Sequence, residues 1–219
     1  MSQVCQDLHR MLSGLHRYSF PFAPEDIPQN GIYVLYEQGE TGHGVDRIVR
    51  VGTHTGHNQL PGALWARLQQ HFTRENKDRS IFRKNIGRAL LNRDGDPFLA
   101  HWELDRTSRR AKEQYAGVVD LDQQAAVERR VTQTIQENFS LVVLPVEDKE
   151  ERLALESGLI STVSWCEECR PSTDWLGLHS PKQKIRESGL WLVNELYKEP
   201  LSDIDLVALQ TRISVVDQA

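Results

Sequence analysis

Apolar and polar positions follow a few clear periods along the chain. Val4, Leu8, Met11, Leu12 and Leu15 recur at helical spacing, which predicts an amphipathic helix over residues 1–17 that stops at the prolines of Phe20-Pro21-Phe22-Ala23-Pro24. Gly31-Ile32-Tyr33-Val34-Leu35-Tyr36 and Arg47-Ile48-Val49-Arg50-Val51-Gly52 are β-branched and aromatic, as strands are. The spacer 38–46 holds Gly39, Gly42 and Gly44 and reads as a mobile loop joining the two into a hairpin. Leu60, Leu64 and Leu68 then fall at i, i+4, i+8, so a helix follows, and Arg67 and His71, four residues apart, leave it on one side. Ser80 can cap a second helix carrying Ile81, Phe82, Ile86, Ala89 and Leu90. Residues 98–104, after Pro97, fit a short strand. Val127, Val131 and Ile135 predict a helix over 123–138, Ser140-Leu141-Val142-Val143-Leu144-Pro145-Val146 is the most strand-like run in the chain, and another helix spans about 149–163. Ser180-Pro181 suits a helix start and 202–213 a last short helix.

The helix over 149–163 carries an anomaly. Leu153, Glu156 and Ile160 share one stripe, so a carboxylate interrupts an apolar face. An isolated charge is costly to bury, so Glu156 must pair with a cation, bind a metal or stay wet in a cleft.

Gly31-Ile32-Tyr33, a second strand ending in Gly52, the helix bearing Arg67, and the later segment Glu151–Ile160 around Glu156 together resemble the GIY-YIG nuclease family. Where the family has its second tripeptide this chain has Arg50-Val51-Gly52, an arginine in place of the second tyrosine. The family's asparagine has no clear counterpart; Asp174 and Asn194 are the nearest positions. The resemblance implies an α/β (α+β) fold with a small three-stranded, mainly antiparallel sheet flanked by helices. It would form a single domain: an N-terminal helical arm (1–30), a nuclease core (31–165) with a helical insertion at about 72–140, and a C-terminal extension (166–219). The same resemblance implies hydrolysis of phosphodiester bonds in DNA with Mg2+ or Mn2+ held by Glu156, and a restriction or defence role by analogy.

Breaking a phosphodiester needs a proton acceptor for the attacking water, positive charge on the phosphate, and help for the leaving oxygen. By resemblance Tyr33 would lie against the water, helped toward its ionised form by Arg50 on the paired strand if the hairpin register puts both on one face. Arg67 offers a planar fork of donors to non-bridging oxygens. His54 and His71 could orient Tyr33 or the water, or protonate the leaving oxygen, and for each the plainer reading is an ordinary hydrogen-bonded histidine.

Charge refines the picture. The net charge of −5 argues against a protein that coats nucleic acid by charge alone. Yet between Arg67 and Arg93 the chain carries Arg67, Arg74, Lys77, Arg79, Arg83, Lys84, Arg88 and Arg93 against only Glu75 and Asp78. Arg74, Arg79, Arg83 and Lys84 are therefore candidates for tracking a DNA backbone, and a solvated helix face is the plainer alternative. No run approaches a membrane span, Met1–Gly14 is too polar for a secretory signal, and three cysteines fit a reducing compartment, so the expected location is cytoplasmic. Cys166 and Cys169 form a CxxC with no second pair. A zinc site would need Cys5 or a histidine such as His179, and the pair is read as reduced thiols whose removal is neutral. A catalytically silent module, binding nucleic acid or protein, is the competing function, since Arg50 replaces a family tyrosine.

Overall fold

The computed structural model describes residues 2–54 and 62–216, with no side chain described beyond residue 214. Four antiparallel strands form one sheet in the order β1-β4-β2-β3: β1 (Tyr18–Ser19), β2 (Gly31–Gly42), β3 (Val45–Thr53) and β4 (Phe139–Pro145). The sheet has one strand more than the three expected. Two residues of β1 pair Tyr18 with Leu141 and Ser19 with Ser140, an edge too short for any periodicity to reveal.

Both faces of the sheet are covered, which explains why β2 begins with six consecutive buried residues rather than an alternating pattern. On one face Tyr33, Leu35, Leu141 and Val143 pack beneath α2 (Ala63–Phe72), α3 (Ile81–Arg93) and α6 (Leu121–Asn138). On the other, Ile32, Val34, Tyr36, Val142 and Leu144 pack beneath α1 (Ser2–Ser13), α7 (Lys149–Trp165) and α9 (Asp203–Val216). Local signals set the helix starts. Ser80 accepts from the Arg83 amide at 3.2 Å, Asp120 from the amides of Asp122 and Gln123 at 3.0 Å, and Asp148 from the Glu151 amide at 2.8 Å. Among the described residues no helix is long and apolar enough to cross a membrane. Leu60, expected to open α2, lies outside the described residues.

Several expectations need correction. Residues 98–104 form not a strand but the helical turn α4 (Leu99–Trp102), started by Asp96, whose carboxylate accepts from the Phe98 amide at 2.8 Å. The Trp102 ring then lies against Gly87, where a Cβ would come within 2.3 Å of it. A further short helix, α5 (Arg109–Gln114), and α8 (Gln183–Ser188) complete the set. The spacer 38–46 is no mobile loop: the β2–β3 pairing runs to Gly42 opposite Val45, leaving a turn of His43 and Gly44, both with positive φ. Glu40 is buried there in an ion pair with Arg47, whose Nε donates to its carboxylate at 3.0 Å.

The basic stretch is the largest departure. Arg83 is fully buried, its Nε and Nη2 donating to the Glu128 carboxylate at 3.1 and 2.7 Å and its Nη1 to the His71 carbonyl at 3.0 Å, so it is unavailable to phosphate. Lys84 is mostly enclosed and donates to the Glu103 carbonyl at 2.9 Å, while Arg88 holds the Glu103 carboxylate with two bonds of 2.6 Å. These cations staple α3 to Glu103 and Glu128 within the same insertion; only Arg74 and Arg79 of the four candidates are exposed. Arg83→Ala is accordingly expected to cost about 3–5 kcal/mol of stability, because Glu128 would keep a buried charge without its partner. Chemical denaturation checks this, and a change under about 1 kcal/mol would contradict the pairing.

Candidate active site

A cleft of about 460 Å³ opens between β3, α2, α7 and the C-terminal segment. Arg50 and Val51 come from β3, Arg67 from α2, Leu153, Glu156 and Ile160 from α7, and Asn194 and Glu195 from the segment after α8.

Hairpin register answers the question the sequence left open. Tyr33 pairs with Gly52 and Leu35 with Arg50, and directly opposed residues in an antiparallel pair share a face, so Tyr33 and Arg50 lie on the same side. Gly52 makes this possible: a Cβ there would sit 2.3 Å from the Tyr33 hydroxyl oxygen, so a side chain at the last position of the tripeptide would expel the phenol. Tyr33 is fully buried, its hydroxyl 2.8 Å from His71 Nε2, while His71 Nδ1 lies 2.7 Å from Ser80 Oγ. Burial, with added repulsion from Arg67, Arg50 and Arg83, holds the His71 imidazole well below its usual range and therefore neutral. A neutral imidazole can orient a phenol or accept its proton, but it is not charged to protonate a leaving oxygen at neutral pH.

Arg50 is 5% exposed. Its Nη1 donates to the Trp191 carbonyl and its guanidinium carbon lies 5.2 Å from the centre of the Phe82 ring, while Nε has no hydrogen-bond partner among the described residues. An orphaned buried donor on a cleft wall is a group waiting for an acceptor. Arg67 is half-buried, with one Nη spent on Gln70 Oε1 at 3.0 Å and the Arg79 carbonyl at 3.4 Å.

Glu156 has no ion pair within 4.0 Å among the described residues. Burial pushes its carboxyl up; Arg50, the Thr53 backbone amide and Arg67 pull it back, and Glu195 opposes them. The structural ion pair that the sequence allowed for this residue is absent from the cleft. His54 stands apart. Burial beside Arg152 lowers it to about 4, and its other electrostatic neighbour is Glu147, so it is not gathered with Tyr33 and His71.

Asn194 belongs to the cleft, and sequence reasoning did not assign it. What brings it there is an extension pinned along β3: the Trp191 amide donates to the Val49 carbonyl at 2.8 Å, and its carbonyl receives Arg50. The Trp191 indole donates at 2.8 Å to buried Glu37, as does Trp175 at 2.7 Å. Asp174, the other position considered, lines a different cavity with Glu37, Arg93 and Arg130.

An antiparallel sheet covered by helices on both faces, with a helix arginine and a helix carboxylate lining one cleft, is a small α+β architecture. The family model described as GIY-YIG domain matches residues 2–218, and the chain belongs to that family. Its members are generally nucleases, so the class of substrate is nucleic acid. No curated protein and no solved structure matches the chain.

Proposed function

We propose that the protein is an endonuclease that hydrolyses phosphodiester bonds in DNA with Mg2+, or Mn2+ in its place. The observation that carries the proposal is the meeting of Arg50, Arg67 and Glu156 in one cleft. Glu156 fits a magnesium ligand: it is a carboxylate in an enclosed site, raised by burial and without an ion pair among the described residues, and magnesium prefers one or two anionic oxygens while taking its remaining ligands from water and phosphate. Asn194 and Glu195 line the same cleft, and the Glu195 carboxylate already accepts from Ser157 Oγ and Lys198 Nζ at 2.7 Å. Bound there, the ion would lend Lewis-acid stabilisation to the phosphate and lower the pKa of water.

The chain's own residues do the rest. Arg67 directs its fork at the non-bridging oxygens, where charge grows as water attacks, and Arg50 on the cleft wall adds a second positive charge. Tyr33 and His71 support this wall from behind: the phenol hydroxyl lies 2.8 Å from His71 Nε2 and His71 Nδ1 lies 2.7 Å from Ser80 Oγ, which fixes β2 against α2 and the start of α3. Both side chains are fully buried behind the residues that line the cleft. Arg74 and Arg79, exposed beyond the mouth of α2, would hold the flanking backbone.

One observation favours a second reading, a nucleic-acid-binding module without catalysis: Arg50, standing where the family has a tyrosine, is tied to the Trp191 carbonyl. Incubating the purified protein with supercoiled plasmid, single-stranded DNA and RNA, with and without magnesium, separates the two. Magnesium-dependent nicking of DNA is expected; a salt-sensitive gel shift without cleavage would favour the binding module.

A further inference from the structure

Away from the cleft, at the opposite end of the β2–β3 hairpin, the chain brings all three of its cysteines and one histidine together. Cys5 comes from α1, His43 from the turn between β2 and β3, Cys166 from the residue that ends α7, and Cys169 from the turn that follows. One ligand atom from each lies within 4.8 Å of all the others. The Cys5 and Cys169 sulfurs are 3.6 Å apart, and Cys166 Sγ is 3.4 Å from His43 Nε2. A tetrahedral zinc with Zn–S of about 2.3 Å and Zn–N of about 2.0 Å separates its ligand atoms by roughly 3.5–3.8 Å, so the cluster needs only a small contraction to hold one ion. The three cysteines are at most 5% exposed and the His43 side chain 2%.

We infer that Cys5, His43, Cys166 and Cys169 form a structural Cys3His zinc site that locks the N-terminal helix, the hairpin tip and the start of the C-terminal extension together.

Three features support a built site over a chance gathering of thiols. First, His43 has φ of 54°, and Gly44 follows with φ of 79°. A two-residue turn of this kind is best served by Asn-Gly, so the imidazole sits where a side chain less suited to the turn is tolerated, and it points at the thiols. Second, His43 Nδ1 lies 3.6 Å from the Glu168 carboxylate. With Nε2 turned to Cys166, this is the carboxylate–histidine arrangement that fixes the ring and strengthens it as a zinc ligand. Third, the nearby His9 is already committed. Its Nε2 accepts from the Ile48 amide at 3.2 Å, which leaves Nδ1–H to donate to the Cys5 carbonyl at 2.9 Å, and its ring packs edge-on to His43 at 5.2 Å. His9 therefore walls the site without competing for the ion. Of the two partners the sequence offered for such a site, Cys5 is in the cluster and His179 is not; the His179 carbonyl accepts from Asn92 at 2.8 Å.

Thiolate chemistry agrees with the geometry. Four ligands from the chain leave no open position, which marks the site as structural rather than catalytic, and soft sulfur suits zinc over the magnesium proposed for the cleft. On this proposal Cys166 and Cys169 are ligands rather than neutral thiols, and their partners are Cys5, 161 residues before Cys166, and the histidine of the hairpin turn.

The test is elemental analysis of the protein purified under reducing conditions without chelator, with cobalt substitution as a second readout. About one zinc per chain is expected, and cobalt exchanged into the site should show thiolate charge-transfer and tetrahedral d–d absorption. His43→Asn keeps the turn, because Asn-Gly favours it, yet removes a ligand, so the variant should fold and release zinc to a competing chelator more than about tenfold faster. Cys166→Ser should do the same with a lowered melting temperature. Absence of both zinc and a cobalt spectrum from reduced, folded protein would overturn the site. So would zinc held undiminished by both variants, or a Cys5–Cys169 disulfide that, once reduced, takes up no metal. These readouts do not depend on nuclease activity.

Discussion

Glu156→Gln is expected to abolish magnesium-dependent cleavage while leaving the protein folded. The amide keeps the shape of the carboxylate but not its charge, and magnesium, a hard cation, binds a neutral oxygen too weakly to activate water. Stability should survive because Glu156 makes no ion pair within 4.0 Å among the described residues, and Arg50, the buried cation whose charge it faces, keeps its bond to the Trp191 carbonyl. Nucleic-acid binding should persist through the arginines. A melting scan and a cleavage assay on one preparation check both halves. Retained cleavage would remove Glu156 from the mechanism, and a collapse in melting temperature would mean that the residue serves the fold.

Arg67→Ala is expected to lower the cleavage rate by about two to three powers of ten, the usual effect of removing one preorganised donor from a developing oxyanion. Its contacts within the chain are modest, a 3.0 Å bond to Gln70 and a 3.4 Å contact with the Arg79 carbonyl, so the loss of stability should stay near 1 kcal/mol. Arg67→Lys should fall between the two, since a point charge restores attraction but not the bidentate fork. Single-turnover rates at saturating DNA measure these effects. Near-wild-type turnover of the alanine variant would show that phosphate does not sit on α2.

Most of this fold could be read from residue pattern because strands with both faces covered and helices with one apolar stripe leave strong periods. β2, β3, β4, α2, α6 and α7 all declare themselves in this way, and Glu156 stood out because it broke one of them. The features that escaped depend on long-range partners. Nothing local to Arg83 distinguishes a phosphate-binding arginine from one buried against Glu128, 45 residues on. The spacer 38–46, which carries His43, reads as a mobile loop because Gly39, Gly42 and Gly44 suggest mobility, whereas the strand pairing continues to the turn. Asn194 reaches the cleft only because Trp191 is fastened to β3, and no spacing between residues 50 and 194 encodes that contact. The cysteine cluster shows the same limit: the CxxC and Cys5 are visible in the sequence, but that they meet His43 depends on other elements packing together.

The central claim, that the cleft holding Arg67 and Glu156 is where DNA is cut, is tested most directly by a crystal structure of the protein with a duplex oligonucleotide and calcium in place of magnesium. A backbone phosphate about 3 Å from the Arg67 guanidinium and the cation on the Glu156 carboxylate are the expected result. Duplex bound across another face, with the cleft free of phosphate and cation, would contradict it.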